Sequence, residues 1–196
     1  MNIGIDVDGV ILDTENWFRS MSHIYDMHIG GKGPVCPDAV KVQDRMKWSD
    51  DHFAEFVENC MYYGMEKAPL MPCCKFVIDK LREMGHRLVL VTARGIFSQK
   101  EIDLAIEMLE KNGLKFDAMC FDSQDKLIPC RNENIDYMID DSANNVIRLS
   151  ENGIKCLYFR ELVLKFLNHK NIIEVNSWGE VLRQINILNK KIKKTV

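Results

Sequence analysis

This chain has no C-x-x-C pair, no H-E-x-x-H, no stripe of basic residues and no apolar run long enough to span a membrane. Each absence removes a class. Without an apolar run of roughly 20 residues, no membrane-spanning helix is expected. The five histidines, His23, His28, His52, His86 and His169, show no ligand spacing, so none is assigned to a metal. The seven cysteines, Cys36, Cys60, Cys73, Cys74, Cys120, Cys130 and Cys156, are odd in number and suit no closed disulfide framework. They read as reduced thiols, and a cytoplasmic protein is expected. No basic region precedes the first strand, which begins almost at Met1, so no signal peptide fits. A formal charge of -3 offers no general attraction to nucleic acid or anionic lipid. The one basic cluster, Lys190, Lys191, Lys193 and Lys194, reads as a solvated helix end. Lys32 in "GGKGP" lacks the spacing and preceding strand of a phosphate loop, which leaves a flexible loop.

What is present is enough for a sizeable core. The 196 residues are 46% hydrophobic and 28% charged, which suits one domain, or one domain carrying a modest insertion. From Pro72 onward one unit repeats in kind: amphipathic helix, glycine stop, apolar strand. "CKFVIDKLREMG", with Phe76, Val77, Leu81 and Met84 near helical spacing, leads to "HRLVLVTA". "SQKEIDLAIEMLEKNG", with Ile102, Ala105, Ile106 and Leu109, leads to "LKFDAMCFD". "SANNVIRLSENG" leads to "IKCLYF". Gly85, Gly113 and Gly153 stand where helices end on a left-handed residue, and Ser98 with Glu101 resembles a capping box. Helices alternating with buried strands predict an α/β fold with a parallel sheet of about five strands covered on both faces.

Thr14 to about Pro69 differs. It is rich in aromatics and methionine, and "SDDHFAEFVENCMYY" reads as a helix capped near Ser49 or Asp50. We expect a core of residues 1–13 and 70–196 with a mostly helical cap, 14–69, inserted after the first strand to cover one rim of the sheet. Trp17, Phe18, Met21 and Phe53 read as the cap's own small core, with stacking on a nucleobase the alternative.

In open α/β sheets the ligand lies beyond the carboxyl ends of the strands. There the first strand, "NIGIDVDGV", carries Asp6 and Asp8 on one face, because side chains alternate along a strand. Two such carboxylates repel each other and are costly to bury without a cation or a chemical task. The strand "LVLVTAR" delivers Thr92 and Arg94, "AMCFDSQDK" delivers Asp122 and Lys126, and "YMIDD" delivers Asp140 and Asp141. Clustered carboxylates without Cys or His favour a hard cation such as Mg²⁺, with Mn²⁺ able to substitute. A hydroxyl, a lysine and a carboxylate beside that cation suit a phosphoryl group.

"DVDGV", "VTAR", the lysine of "QDK" and the "DD" ending "YMIDD" together resemble the four motifs of the haloacid dehalogenase superfamily of phosphatases. The resemblance runs in order along the whole chain, and the insertion resembles a small type-1 cap. The layout is similar to the cytosolic 5'(3')-deoxyribonucleotidase-like branch. The resemblance implies a Rossmann-like core and a Mg²⁺-dependent phosphomonoesterase. It implies that Asp6 attacks phosphorus and that Asp8 protonates the leaving alcohol, then takes a proton from water. Asp6, the backbone carbonyl of Asp8, and Asp140 would bind Mg²⁺, with Asp141 acting through water. Thr92 would bond the phosphoryl oxygens and Lys126 would balance charge. Gly9 would turn the chain so that backbone N–H groups face the phosphate, and Ala93 and Arg94 would complete the substrate-binding set. Arg94 departs from the small or hydrophobic residue expected there; it suits a phosphate or second anionic group, with a surface ion pair as the alternative.

A small phosphorylated metabolite is therefore the expected partner, a nucleoside monophosphate being favoured and a sugar or polyol phosphate the rival. A polynucleotide end phosphatase is opposed by the acidic charge balance. A non-catalytic binding protein is opposed by the full set of motif residues. Monomer and homodimer stay equally open.

Overall fold

The computed structural model describes residues 1–39, 41–159 and 167–195, with side chains described as far as residue 190. Lys191, Lys193 and Lys194 of the basic tail therefore have side chains outside the described residues. Two compact units are present: Met1–Leu12 with Leu70–Val196, and Asp13–Pro69.

The first unit begins with β1 (Asn2–Ile5). The second follows it in the chain and contains α1 (Thr14–His28), α2 (Val42–Met46), α3 (Asp50–Phe56) and α4 (Tyr62–Lys67), with a π-helical stretch, Val57–Met61, joining the last two. Ser49 caps α3, its hydroxyl accepting from the His52 N–H. Tyr25, Val42, Met46, Phe56 and Cys60 form the core of this unit, with Phe18, Met21 and Trp48 packed against it. Trp17 lies against the ring of Tyr63, 5.7 Å between centroids. Phe53 is half-buried and sits outside that core.

The first unit resumes with α5 (Cys74–Glu83), β2 (Arg87–Val91), α6 (Gln99–Lys111), β3 (Ala118–Cys120), α7 (Leu127–Asn132), β4 (Tyr137–Asp140), α8 (Ala143–Glu151), β5 (Lys155–Phe159), β6 (Ile172–Val175) and α9 (Trp178–Thr195). The strands form one sheet in the order β3-β2-β1-β4-β5-β6, and every pairing is parallel. The α/β class and parallel sheet agree with the sequence; the strand count is six where about five were expected. The extra strand, β6, is short and only half-buried, so it lacks the continuous apolar run of a central strand. Ile3, Ile5, Leu88, Leu90, Ile139 and Leu157 are fully buried, which is why these runs are apolar without alternation.

Two helix faces are turned from the expected phase. In α5 the buried residues are Cys74, Val77, Ile78 and Leu81, and Phe76 is exposed. In α6 they are Glu101, Ala105, Met108 and Leu109, with Ile106 at the exposed margin. Cys74 is buried in the core, and that burial pushes its thiol pKa upward, so it packs as an apolar residue. The glycine stops are as expected, with φ of 79° at Gly85, 60° at Gly113 and 87° at Gly153. At Ser98 the side chain caps no first-turn N–H; the Glu101 carboxylate reaches back to the Gly95 N–H at 2.8 Å.

Numbering runs outward from β1 on one side and from β4 on the other, so the direction of winding reverses between them. That reversal is where an open α/β sheet leaves a crevice at its carboxyl edge. Trp178, at the start of α9, is fully buried and donates its Nε1–H to the Val10 carbonyl at 2.8 Å. It anchors the turn that follows β1. Among the described residues no helix is long and apolar enough to cross a membrane.

Candidate functional site

At the reversal point β1 and β4 run side by side, so the residues leaving them arrive together. The Asp6 N–H still donates to the Ile139 carbonyl at 3.0 Å, continuing the ladder one residue past β1. Asp140 ends β4 and is fully buried. Between them lies Lys126, itself buried, with Nζ 2.6 Å from Asp6 Oδ2 and 2.8 Å from Asp140 Oδ2. Asp140 is held further by the Ser142 N–H at 2.8 Å and by Asn145 Nδ2, 3.2 Å from Oδ1 and 3.3 Å from Oδ2. Ser142 caps α8, accepting from the Asn145 N–H, so the helix start that holds Asn145 also shapes the Asp140 loop.

Asp6, Asp140 and Asp141 each place an oxygen within 4.8 Å of the others. Three carboxylates around one lysine leave excess negative charge in a buried place. Burial pushes the Asp6 pKa up to about 7; Lys126 opposes the rise, and Asp140 and Asp8 add to it. Asp141 is raised well above the carboxylate range by burial and then by Asp140 and Asp6. For Lys126 burial alone would lower the pKa, but Asp140 and Asp6 outweigh it and hold the amine above its usual value. An all-oxygen donor set with uncompensated charge fits a hard divalent cation.

Gly9 makes the cluster sterically possible. Its φ is +72°, and a Cβ built there would lie 2.1 Å from Asp141 Oδ2. Its N–H is already given to the Leu12 carbonyl at 3.0 Å, and the N–H groups of Val10, Ile11 and Leu12 all point to the Val7 carbonyl. The turn spends these amides on itself, and Gly9 serves by having no side chain in the path of Asp141. Gly9→Ala combines left-handed strain with overpacking, so a loss of about 2–4 kcal/mol in urea denaturation is expected. A change below about 0.5 kcal/mol would show that Asp141 yields freely.

The loop after β2 contributes the other side. Thr92 is buried; its N–H donates to the Cys120 carbonyl at 3.0 Å and its own carbonyl accepts from the Ser123 N–H at 3.0 Å. Its Oγ1 accepts from the Arg94 N–H at 3.2 Å. Ala93 is exposed on the same loop. Arg94 departs from the surface-ion-pair reading. Its side chain is 1% exposed, so it is no surface ion pair, and it contacts Asp8. Nε lies 2.9 Å from Asp8 Oδ2 and Nη2 lies 2.7 Å from Oδ1, a two-pronged fork on one carboxylate.

The structure thus gathers Asp6, Lys126, Asp140 and Asp141 into one cluster and joins Asp8 to Arg94. Thr92 is tied to that pair through the Arg94 backbone. Asn145 and Glu101 escaped sequence reasoning. Asn145 stands five residues past Asp140 in the first turn of a helix, a spacing that could have pointed back to the carboxylate. Glu101 looked like a capping residue, whereas its Oε2 accepts from Gly95 and Phe97 N–H groups at 2.8 and 3.4 Å and so fixes the loop beyond Arg94.

Comparison with known proteins agrees with this layout. No family model matches the chain. A solved haloacid dehalogenase-like family hydrolase from Streptococcus pneumoniae superposes with a TM-score of 0.67 at 19% identity, over 94% of this chain and 97% of that one. The chain has the fold of the haloacid dehalogenase-like hydrolases. Among curated proteins, a nucleotidase of Clostridium acetobutylicum is 27% identical over 97% of this chain and 96% of its own length. A provisionally named nucleotidase of Bacillus subtilis is 23% identical over 95% of this chain and 94% of its own.

Proposed function

We propose that the protein is a Mg²⁺-dependent phosphomonoesterase for a small phosphorylated metabolite, with nucleoside monophosphates the favoured class. The observation that carries this reading is the buried cluster of Asp6, Asp140 and Asp141 around Lys126. The nucleotide preference rests on the two relatives named as nucleotidases. Selection among substrates is assigned to the helical unit, acting as a cap.

Asp6, Asp140, Asp141 and the backbone carbonyl of Asp8 would hold the cation. Bound there, Mg²⁺ supplies charge neutralisation for the phosphoryl oxygens during transfer. In the proposed reaction an Asp6 oxygen forms a bond to phosphorus as the bond to the leaving oxygen breaks. Asp8 gives that oxygen a proton, then accepts one from the water that cleaves the aspartyl-phosphate. Lys126 keeps Asp6 and Asp140 in place and offsets their charge throughout. Thr92 offers its hydroxyl proton to a phosphoryl oxygen.

The test is phosphate release from a panel of ribonucleotides, deoxyribonucleotides, sugar phosphates and polyol phosphates, with Mg²⁺ and with chelator. We expect metal-dependent release led by a nucleoside monophosphate. A sugar or polyol phosphate in first place would keep the chemistry and replace the substrate class. Silence from folded, Mg²⁺-supplied protein would overturn the reading.

A further inference from the structure

The geometry points to Arg94 as the positioning residue that keeps Asp8 out of the metal-binding cluster, so that two carboxylates on one strand end serve different tasks. The inference rests on the phosphatase reading for its task assignment, and its geometry stands apart from that reading.

Asp6 directly follows β1, and Asp8 lies two residues further on, in the turn after the strand. Asp6 joins Asp140 and Asp141 in the set whose oxygens lie within 4.8 Å of each other, and Asp8 contributes no side-chain oxygen to that set. It is close enough for its charge to be felt by Asp6 and Asp141. A carboxylate beside a hard cation is a ready ligand, because such ions take oxygen donors from whichever flexible side chains reach them. Here both Asp8 oxygens are already engaged, at 2.9 and 2.7 Å, by Arg94.

Arg94 is itself held from three directions. Its N–H donates to Thr92 Oγ1 at 3.2 Å, its carbonyl accepts from the Asp122 N–H at 2.8 Å, and Glu101 braces the following loop. Burying a guanidinium here has a cost beyond desolvation. Among the described residues Arg94 Nη1 is buried with no hydrogen-bond partner, and such a group loses its bonds to water without replacement. A contact kept only for stability would be served as well by an apolar pair. The fork instead fixes the plane and direction of one carboxylate, which a lysine's single ammonium cannot do.

The experiment compares wild type, Arg94→Met, Arg94→Lys, Asp8→Asn and the Asp8→Asn/Arg94→Met double variant, all as the full chain. Steady-state kinetics are read on the best panel substrate, and Mg²⁺ binding is read by calorimetry without substrate. For Arg94→Met we expect kcat to fall about 100-fold with KM within about threefold, the signature of lost alignment. Its Mg²⁺ affinity should rise roughly 3- to 10-fold as Asp8 becomes a ligand. That rise should vanish in the double variant, which should bind Mg²⁺ as Asp8→Asn does. Arg94→Lys should move in the same directions and covers the case in which the methionine variant does not fold. A rise in KM with kcat intact would overturn the inference in favour of a phosphate contact. Unchanged or weaker Mg²⁺ binding in both Arg94 variants would reduce Arg94 to a structural bolt. A wild type silent on the panel would sink the phosphatase reading, and the Mg²⁺ titrations would still decide whether Arg94 withholds Asp8.

Discussion

Asp6→Asn is expected to reduce phosphate release by about 10⁴-fold or more while leaving the protein folded, since the amide is nearly isosteric and a poor nucleophile. The Asn oxygen can still accept from Lys126, so the bridge to Asp140 need not be lost. The same variant should also show a stability change of defined sign. In the metal-free protein Asp6 has its pKa raised by burial from 3.8 to about 7. The folded state therefore binds more protons than the unfolded state between those values, and the stability present below about pH 4 is lost as pH rises toward 7. An amide does not ionise, so it escapes that loss. Melted in chelator, Asp6→Asn should match wild type near pH 4 and exceed it near pH 8. Activity within tenfold of wild type would remove Asp6 from the nucleophile's role. A variant less stable than wild type at pH 8 would show that the carboxylate is better compensated than its surroundings suggest.

Lys126→Met is expected to be the most destabilising single change at the site. Its side chain is 3% exposed, and its amine is the cation that bridges Asp6 and Asp140 at 2.6 and 2.8 Å. Removing one partner of a buried ion pair leaves an uncompensated charge, at a cost of about 3–5 kcal/mol. Here two carboxylates would face each other, with Asp141 beside them. The loss should be larger in chelator than in millimolar Mg²⁺, because a bound cation replaces part of the missing charge. Asp6→Asn should relieve part of it, so the double variant should be less destabilised than the two single changes added together. On activity we expect about 10³-fold lower kcat, typical of losing a preorganised charge from a site that excludes water. Urea denaturation in both buffers, with phosphate release alongside, decides the matter. Equal loss with and without Mg²⁺ would argue that the cation does not share this cluster.

What could be read from the chain was whatever the backbone alone decides. The apolar run of β1 delivers Asp6 and Asp8 just past a strand end, and helix–strand alternation makes the sheet parallel. Together these place Thr92, Lys126, Asp140 and Asp141 at strand ends on one edge. What could not be read depends on where side chains go after the strand stops. Arg94 follows Thr92 by two residues, but its partner lies across the sheet on the loop after β1, and no local pattern announces that pairing. Asn145 and Glu101 sit in helix first turns where ordinary capping is an adequate account. Gly9 turns the chain at a positive φ, but the giving of its N–H to Leu12 depends on the closed form of that turn. Phe76 and Ile106 show a different limit: apolar residues at the margin of a stripe do not say which way the helix is rolled.

The hydrogen bond from Trp178 to the Val10 carbonyl joins residues 168 positions apart and secures the turn that follows Asp6 and Asp8. β1 precedes every other strand in the chain, yet it occupies the middle of the sheet, between β2 and β4. A nascent chain therefore cannot finish this turn until α9 has emerged. The carboxylate pair is made before Thr92, Lys126 and Asp140, yet its turn is secured only after all of them. Long-range closure of this kind slows folding, and here it also means that incomplete chains present their acidic residues without the geometry needed to use them.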